Sequence, residues 1–161
     1  MTARLPALRR LAQLGIAHTV HTFPDTIHSA DGVADHLGLP RAVVYKTLVV
    51  LAPGDRPALV MVAGDRTVDL KRLARALGVK DLRMAGHAAA ERLTGLQTGG
   101  ISALALGHKR WPVYLDDAAL TLPGGQVVVS AGRRGANVAL AVADLVRATG
   151  AVAVGASSCE A

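Results

Sequence analysis

Val43-Val44-Tyr45-Lys46-Thr47-Leu48-Val49-Val50-Leu51 is an apolar run with a single charge near its centre. Pro40 stands before it and Pro53-Gly54 after it. Its β-branched content and these breakers predict a buried strand. On a strand, Lys46 shares a face with Val44, Leu48 and Val50. An ammonium set among aliphatic side chains loses hydration and needs a polar partner, an anionic ligand or a shifted pKa. The bland alternative is an edge-strand lysine whose stem snorkels to water.

Outward from this strand, a turn at Pro53-Gly54-Asp55 leads to residues 58–62, the expected hairpin partner. Upstream, Leu5, Leu8, Leu11 and Leu14 predict a helix over residues 3–14 that ends at Gly15. Residues 20–23 read as a short strand closed by Pro24. Ser29 or Asp31 is placed to cap a helix through Leu37, with Gly38 at its end. Downstream, Asp69 begins a helix through Leu77, closed by Gly78, whose Lys71, Arg72 and Arg75 read as a solvated face. Short strands are expected at 81–84, 113–115 and 126–130, and helices at 87–93 and 142–149. The order lacks a βαβ rhythm, so the fold class is α+β with a mixed, largely antiparallel sheet. One domain is expected over residues 1–154, followed by a frayed tail over 155–161.

The chain has 161 residues, of which 51% are hydrophobic and only 2% aromatic, so the core must be aliphatic. Eighteen Lys and Arg against twelve Asp and Glu favour polyanionic partners. Four aromatics (Phe23, Tyr45, Trp111, Tyr114) are too few for a single-strand-binding platform. The lone Cys159 makes an internal disulfide impossible and points to a reducing, cytoplasmic setting. No stretch has the apolar length of a membrane span, and residues 1–16 lack the apolar core of a signal peptide.

The six histidines form no ligand pattern, so no metal or other cofactor is expected. There is no phosphate-binding loop, dinucleotide fingerprint or Gly-x-Ser-x-Gly elbow. Two loops stand out. Gly99-Gly100, before Ile101-Ser102, allows close backbone approach to a ligand and aims N–H groups at an oxygen. Ser130-Ala131-Gly132-Arg133-Arg134-Gly135 ends a strand with anion-binding donors. A plain connection is the common meaning of either loop alone.

In order, Tyr45-Lys46-Thr47-Leu48, Asp69-Leu70-Lys71 with Ala76-Leu77-Gly78, Thr94-Gly95 through Gly99-Gly100-Ile101-Ser102, and the loop from Ser130 to Gly135 resemble the YbaK/EbsC family. These are editing domains associated with prolyl-tRNA synthetase. The resemblance spans residues 5–150. It implies a partly barrel-like sheet surrounded by helices, and hydrolysis of the ester of mischarged aminoacyl-tRNA in trans to the synthetase. Proline tRNA carrying Cys, Ala or Ser is the implied substrate. The resemblance assigns Lys46, Gly99 and Gly100 to catalysis. It assigns Phe23, Thr47, Ile101, Ser130, Gly132 and Asn137 to substrate binding, with Phe23 as an aromatic wall. Backbone N–H groups at Gly99-Gly100 are then expected to hold an oxyanion, and Lys46 a phosphate or the terminal adenosine. Leu96, Ala103 and Asn137 depart from the family pattern around the expected pocket, which leaves the acyl group open. Two other readings stay open: a non-catalytic tRNA- or nucleotide-binding module, and an interaction domain with a snorkelling lysine.

Overall fold

A computed structural model describes residues 5–159. Helix α1 spans Pro6–Gln13 and buries Ala7, Leu8 and Leu11. Residues 3 and 4, where that helix was expected to start, lie outside the described residues. Strand β1 (Thr19–Thr22) follows, then α2 (Ala30–Leu37). Of the two expected caps, Ser29 serves: its Oγ accepts the Gly32 N–H at 3.0 Å, and Gly38 closes the helix in the left-handed region.

Strands β2 (Tyr45–Ala52) and β3 (Arg56–Ala63) form the expected hairpin, turning through Gly54 and Asp55 at positive φ. Both faces of this pair are covered. Tyr45, Val49, Leu59 and Met61 point into the main core, while Val50, Val60 and Val62 pack with Leu73 and Ala74. That double burial explains why the run is apolar without alternation. Val44 departs from the expected Lys46 face. It precedes the strand, bridges Val128 and packs with Val33 and Ala34 beneath α2.

Strand β4 (Arg66–Val68) leads to α3 (Leu70–Leu77), capped by Asp69, whose Oδ1 accepts the Arg72 N–H at 3.0 Å. Then come β5 (Arg83–Met84), α4 (His87–Thr94), β6 (Val113–Asp116), β7 (Gln126–Arg133), β8 (Ala136–Ala141), α5 (Val142–Thr149), β9 (Val152–Val154) and β10 (Ser157–Cys159). One sheet runs β5-β2-β3-β6-β9, a second β1-β8-β7, and β10 pairs with β4. Among the described residues the pairings are antiparallel except β3 with β6 and β6 with β9. The result is the expected mixed α+β domain. The barrel-like closure is not met: no described sheet closes, and the two larger sheets pack together through shared core residues and are bridged by backbone at Val44–Val128.

The tail is the clearest correction. Residues 157–159 pair with β4 instead of fraying. A buried carboxylate holds them: Asp116, 1% exposed, accepts the Ala156 N–H at 2.9 Å and the Ser157 hydroxyl at 2.6 Å. Ser157 Oγ in turn accepts from Arg66 Nε at 2.5 Å. A carboxylate out of water requires such donors, so Asp116 ties the C-terminal strand to β4.

Candidate functional site

The site lies where β2 lacks a neighbour. One side of β2 pairs with β3 along its length. The other side meets β7 at Val44 and β5 at Val50 and Leu51. Residues 45–49 between these points line a cavity of about 380 Å3. The Val49 carbonyl points to this outer side, where it accepts the Ala85 N–H at 3.0 Å. Antiparallel alternation then aims the main-chain N–H and C=O of Thr47 outward as well, into the cavity.

Lys46 is half-buried at the cavity wall. Its ammonium finds the partner that desolvation demands: Nζ donates to the Arg66 carbonyl at 2.8 Å. An ammonium has three donors, so two are left for a ligand. Arg66 is itself anchored through Ser157 and lies 3.8 Å from Asp116, so the acceptor holding Lys46 depends on the C-terminal strand.

Residues 98–101 form a second wall, and Thr98 is braced on both sides. Its N–H donates to Glu91 Oε2 at 2.7 Å, and its carbonyl accepts from Arg134 Nε at 2.7 Å. The Thr98 N–H bond holds the Glu91 carboxyl below its ordinary pKa, helped by the nearby Arg134 and His87 charges. The two glycines divide their tasks. Gly99, at φ 89°, lines the cavity, and a Cβ there would meet the His28 carbonyl at 2.8 Å. Its N–H has no partner among the described residues. Gly100 is buried, and its N–H is spent on the Gln97 carbonyl at 2.8 Å. A Cβ on Gly100 would lie 2.7 Å from the Arg133 carbonyl carbon. Gly100 therefore offers no free donor to an oxyanion; its lack of a side chain lets the loop pack on the β7–β8 turn.

Ser130 and Asn137 face each other across β7 and β8 and close the far side with Ile101. The fold thus brings Lys46, Thr47, Gly99, Ile101, Ser130 and Asn137 to one cavity. Gly132 stands behind it, its N–H donating to Ser130 Oγ at 3.1 Å. Phe23 is not a wall of this cavity: it lines an adjoining groove and packs beneath α2. Among the departures from the family pattern, Asn137 lines the cavity, while Leu96 and Ala103 pack on the main core.

Sequence reasoning missed His28, Asp31 and Thr98, which also line the cavity. Asp31 Oδ1 and the Thr98 hydroxyl are buried without a hydrogen-bond partner. Thr98 sits in the Gly99-Gly100 loop and Asp31 at the start of α2, and only the approach of α2 to that loop brings them together. Among the described residues no three His, Cys, Asp or Glu side chains form a metal-binding group.

An α+β domain with a cleft at an unpaired strand edge, lined by a lysine, free main-chain groups and small polar side chains, belongs to the class of small-substrate binding or hydrolytic domains. Residues 25–148 match the family model described as the aminoacyl-tRNA editing domain, and the chain belongs to that family. It is 35% identical over 113 residues to EbsC of Enterococcus faecalis, named as a candidate Cys-tRNA(Pro)/Cys-tRNA(Cys) deacylase; the match covers 70% of this chain and 67% of EbsC. A proline–tRNA ligase of Geobacter metallireducens is 35% identical over 71 residues, which is 44% of this chain and 12% of the ligase. The same fold occurs in hypothetical protein APE2540, with TM-score 0.86 at 24% identity over 95% of this chain and 99% of the other. It also occurs in a candidate trans-editing enzyme for prolyl tRNA synthetase, with TM-score 0.81 at 24% identity over 98% and 97%. The resemblance read from the motifs is therefore borne out. No described helix is long and apolar enough to cross a membrane.

Proposed function

We propose that this protein is an aminoacyl-tRNA deacylase that acts in trans on mischarged tRNA, with proline tRNA bearing Cys, Ala or Ser as its substrate. The observation that carries this reading is the convergence of the Lys46 ammonium, the Thr47 edge and the unpartnered Gly99 N–H on one small cavity. Its volume of about 380 Å3 suits a small acyl group on a ribose. Lys46 holds the terminal nucleotide through a phosphate or sugar oxygen. The Gly99 N–H receives the carbonyl oxygen as negative charge develops on it. Water adds to the ester carbon and the tetrahedral intermediate forms. The bond from that carbon to the ribose oxygen then breaks, and a proton from the water ends on that ribose oxygen. The products are the free amino acid and a tRNA with its terminal hydroxyl restored. The names of EbsC and of the proline–tRNA ligases support this substrate class.

One observation favours a binding module instead: no described histidine or carboxylate is paired with a nucleophilic side chain in the cavity. The deciding experiment follows ester loss from Cys-, Ala-, Ser- and Pro-tRNA(Pro) with wild type and Lys46→Ala. Rapid loss of a non-cognate ester, abolished by the substitution, supports editing. Bound tRNA with every ester intact refutes catalysis.

A further inference from the structure

The groove beside the cavity holds Phe23, Gln97, Arg133 and Arg134, with His28 lining both spaces. We propose that this groove is a second nucleotide subsite. It would take the base and phosphate that precede the terminal adenosine of a single-stranded RNA 3′ end. The inference rests on the ester-bearing end occupying the cavity.

Three observations support it. First, the two spaces lie on either side of one wall, with His28 lining both. Gly99 rests against the His28 backbone, Gly100 against the Arg133–Arg134 peptide, and Arg134 Nε bonds to the Thr98 carbonyl. A polynucleotide whose last ribose enters the cavity leaves past this shared wall. Second, the groove carries what nucleotide recognition needs. Phe23 is a half-buried aromatic, Arg133 is exposed, and the Gln97 amide supplies both a donor and an acceptor. Third, its guanidinium donors are available. Arg133 has no partner among the described residues, and of the Arg134 donors only Nε is engaged there. Asp25 also lines the groove and opposes an anion, while its carbonyl accepts from His28 Nε2 at 3.0 Å. Glu91 lies near Arg134 and Asp25 lines the groove, so the exposed Arg133 is the guanidinium offered to a phosphate. The subsite also gives a role to Phe23 and Arg133, which the cavity does not use.

The test compares equilibrium binding of the trinucleotide CCA with that of adenosine 5′-monophosphate. It uses wild type, Arg133→Ala and Phe23→Leu. Arg133 is exposed, so its removal leaves packing intact; leucine keeps the apolar contacts of Phe23 and loses the stacking face. Wild type is expected to bind CCA at least tenfold more tightly than the monophosphate. Phe23→Leu is expected to weaken CCA binding about fivefold or more, on the scale of one base–aromatic stack. Arg133→Ala is expected to lower the salt slope of CCA binding by about 0.7, the single-strand value for one lost phosphate contact. Equal wild-type affinity for the two ligands, or variants that bind CCA as wild type does, would overturn the subsite. A wild type that shows the groove-dependent preference but cleaves no ester would refute the deacylase reading and leave the subsite standing.

Discussion

Asp116 makes the connection between the C-terminal strand and Lys46 measurable. Its carboxylate is 1% exposed and accepts two short hydrogen bonds, from Ala156 N–H and Ser157 Oγ. Arg66 Nε lies 3.8 Å away. Asp116→Asn retains the shape, removes the charge and leaves one acceptor oxygen for two donors. A hydrogen bond to a charged group contributes about 1.5–3 kcal/mol net, so losing one, with the rest now neutral, should cost about 2–3 kcal/mol. Asp116→Ala loses both bonds and leaves buried donors unpaired, at about 3–5 kcal/mol. Urea unfolding reads both as a lower midpoint at constant slope. The Arg66 carbonyl that holds Lys46 sits on the strand paired with residues 157–159, so the Asn variant should also lose ester hydrolysis more steeply than its folded fraction falls. A midpoint change worth less than about 1 kcal/mol for Asp116→Ala would refute the argument that this carboxylate ties the strand down.

Other outcomes follow from single contacts. Gly100→Ala places a Cβ 2.7 Å from backbone that has little freedom to yield, and should cost about 1–3 kcal/mol in thermal or urea unfolding. Gly99→Ala meets the His28 carbonyl at positive φ, and should lower kcat for ester hydrolysis at least tenfold through displacement of its N–H. Tyr45→Phe removes a buried hydroxyl that has no hydrogen-bond partner and whose pKa burial pushes up, foremost, with Asp116 adding to it. Its stability should be unchanged or higher by up to about 1 kcal/mol, and a loss of more than that in urea would reveal an unseen partner. Glu91 has a folded pKa below its unfolded value, so its contribution is present above the unfolded pKa and disappears as pH falls through the folded one. The protection of the Thr98 amide, its exchange measured against the intrinsic rate at the same pH, should therefore fall on acidification below about pH 4.3 in wild type, and lose that acid-dependent fall in Glu91→Gln.

Much of the fold was readable because its signals are local. Ser29 and Asp69 cap their helices and Gly38 and Gly78 close them, each through main-chain and side-chain atoms a few residues apart. The hairpin of β2 and β3 follows from two apolar runs and a turn. Strand β8 was hidden because residues 136–138 are buried on both faces and show no alternation. Strands β4, β9 and β10 have three residues each, too short for a period, and β10 depends on Asp116, some forty residues upstream. The candidate site divides in the same way. Lys46 announced itself as a charge in an apolar run and Thr98 sits beside the two glycines of its loop, whereas nothing local marks His28 or Asp31 as cavity residues and long-range packing brings them there.

The sequence by itself determined that Lys46 needs a polar partner, since an ammonium among aliphatic neighbours has none to spare, and that two glycines would let a loop approach closely. Only the tertiary structure decided that the partner is the Arg66 carbonyl, that Gly99 keeps a free N–H while Gly100 spends its own, and that Phe23 stands outside the cavity. The physical reason is that a desolvation cost belongs to a residue and its immediate neighbours. Which distant donor or acceptor meets that cost is set by how the chain folds back on itself.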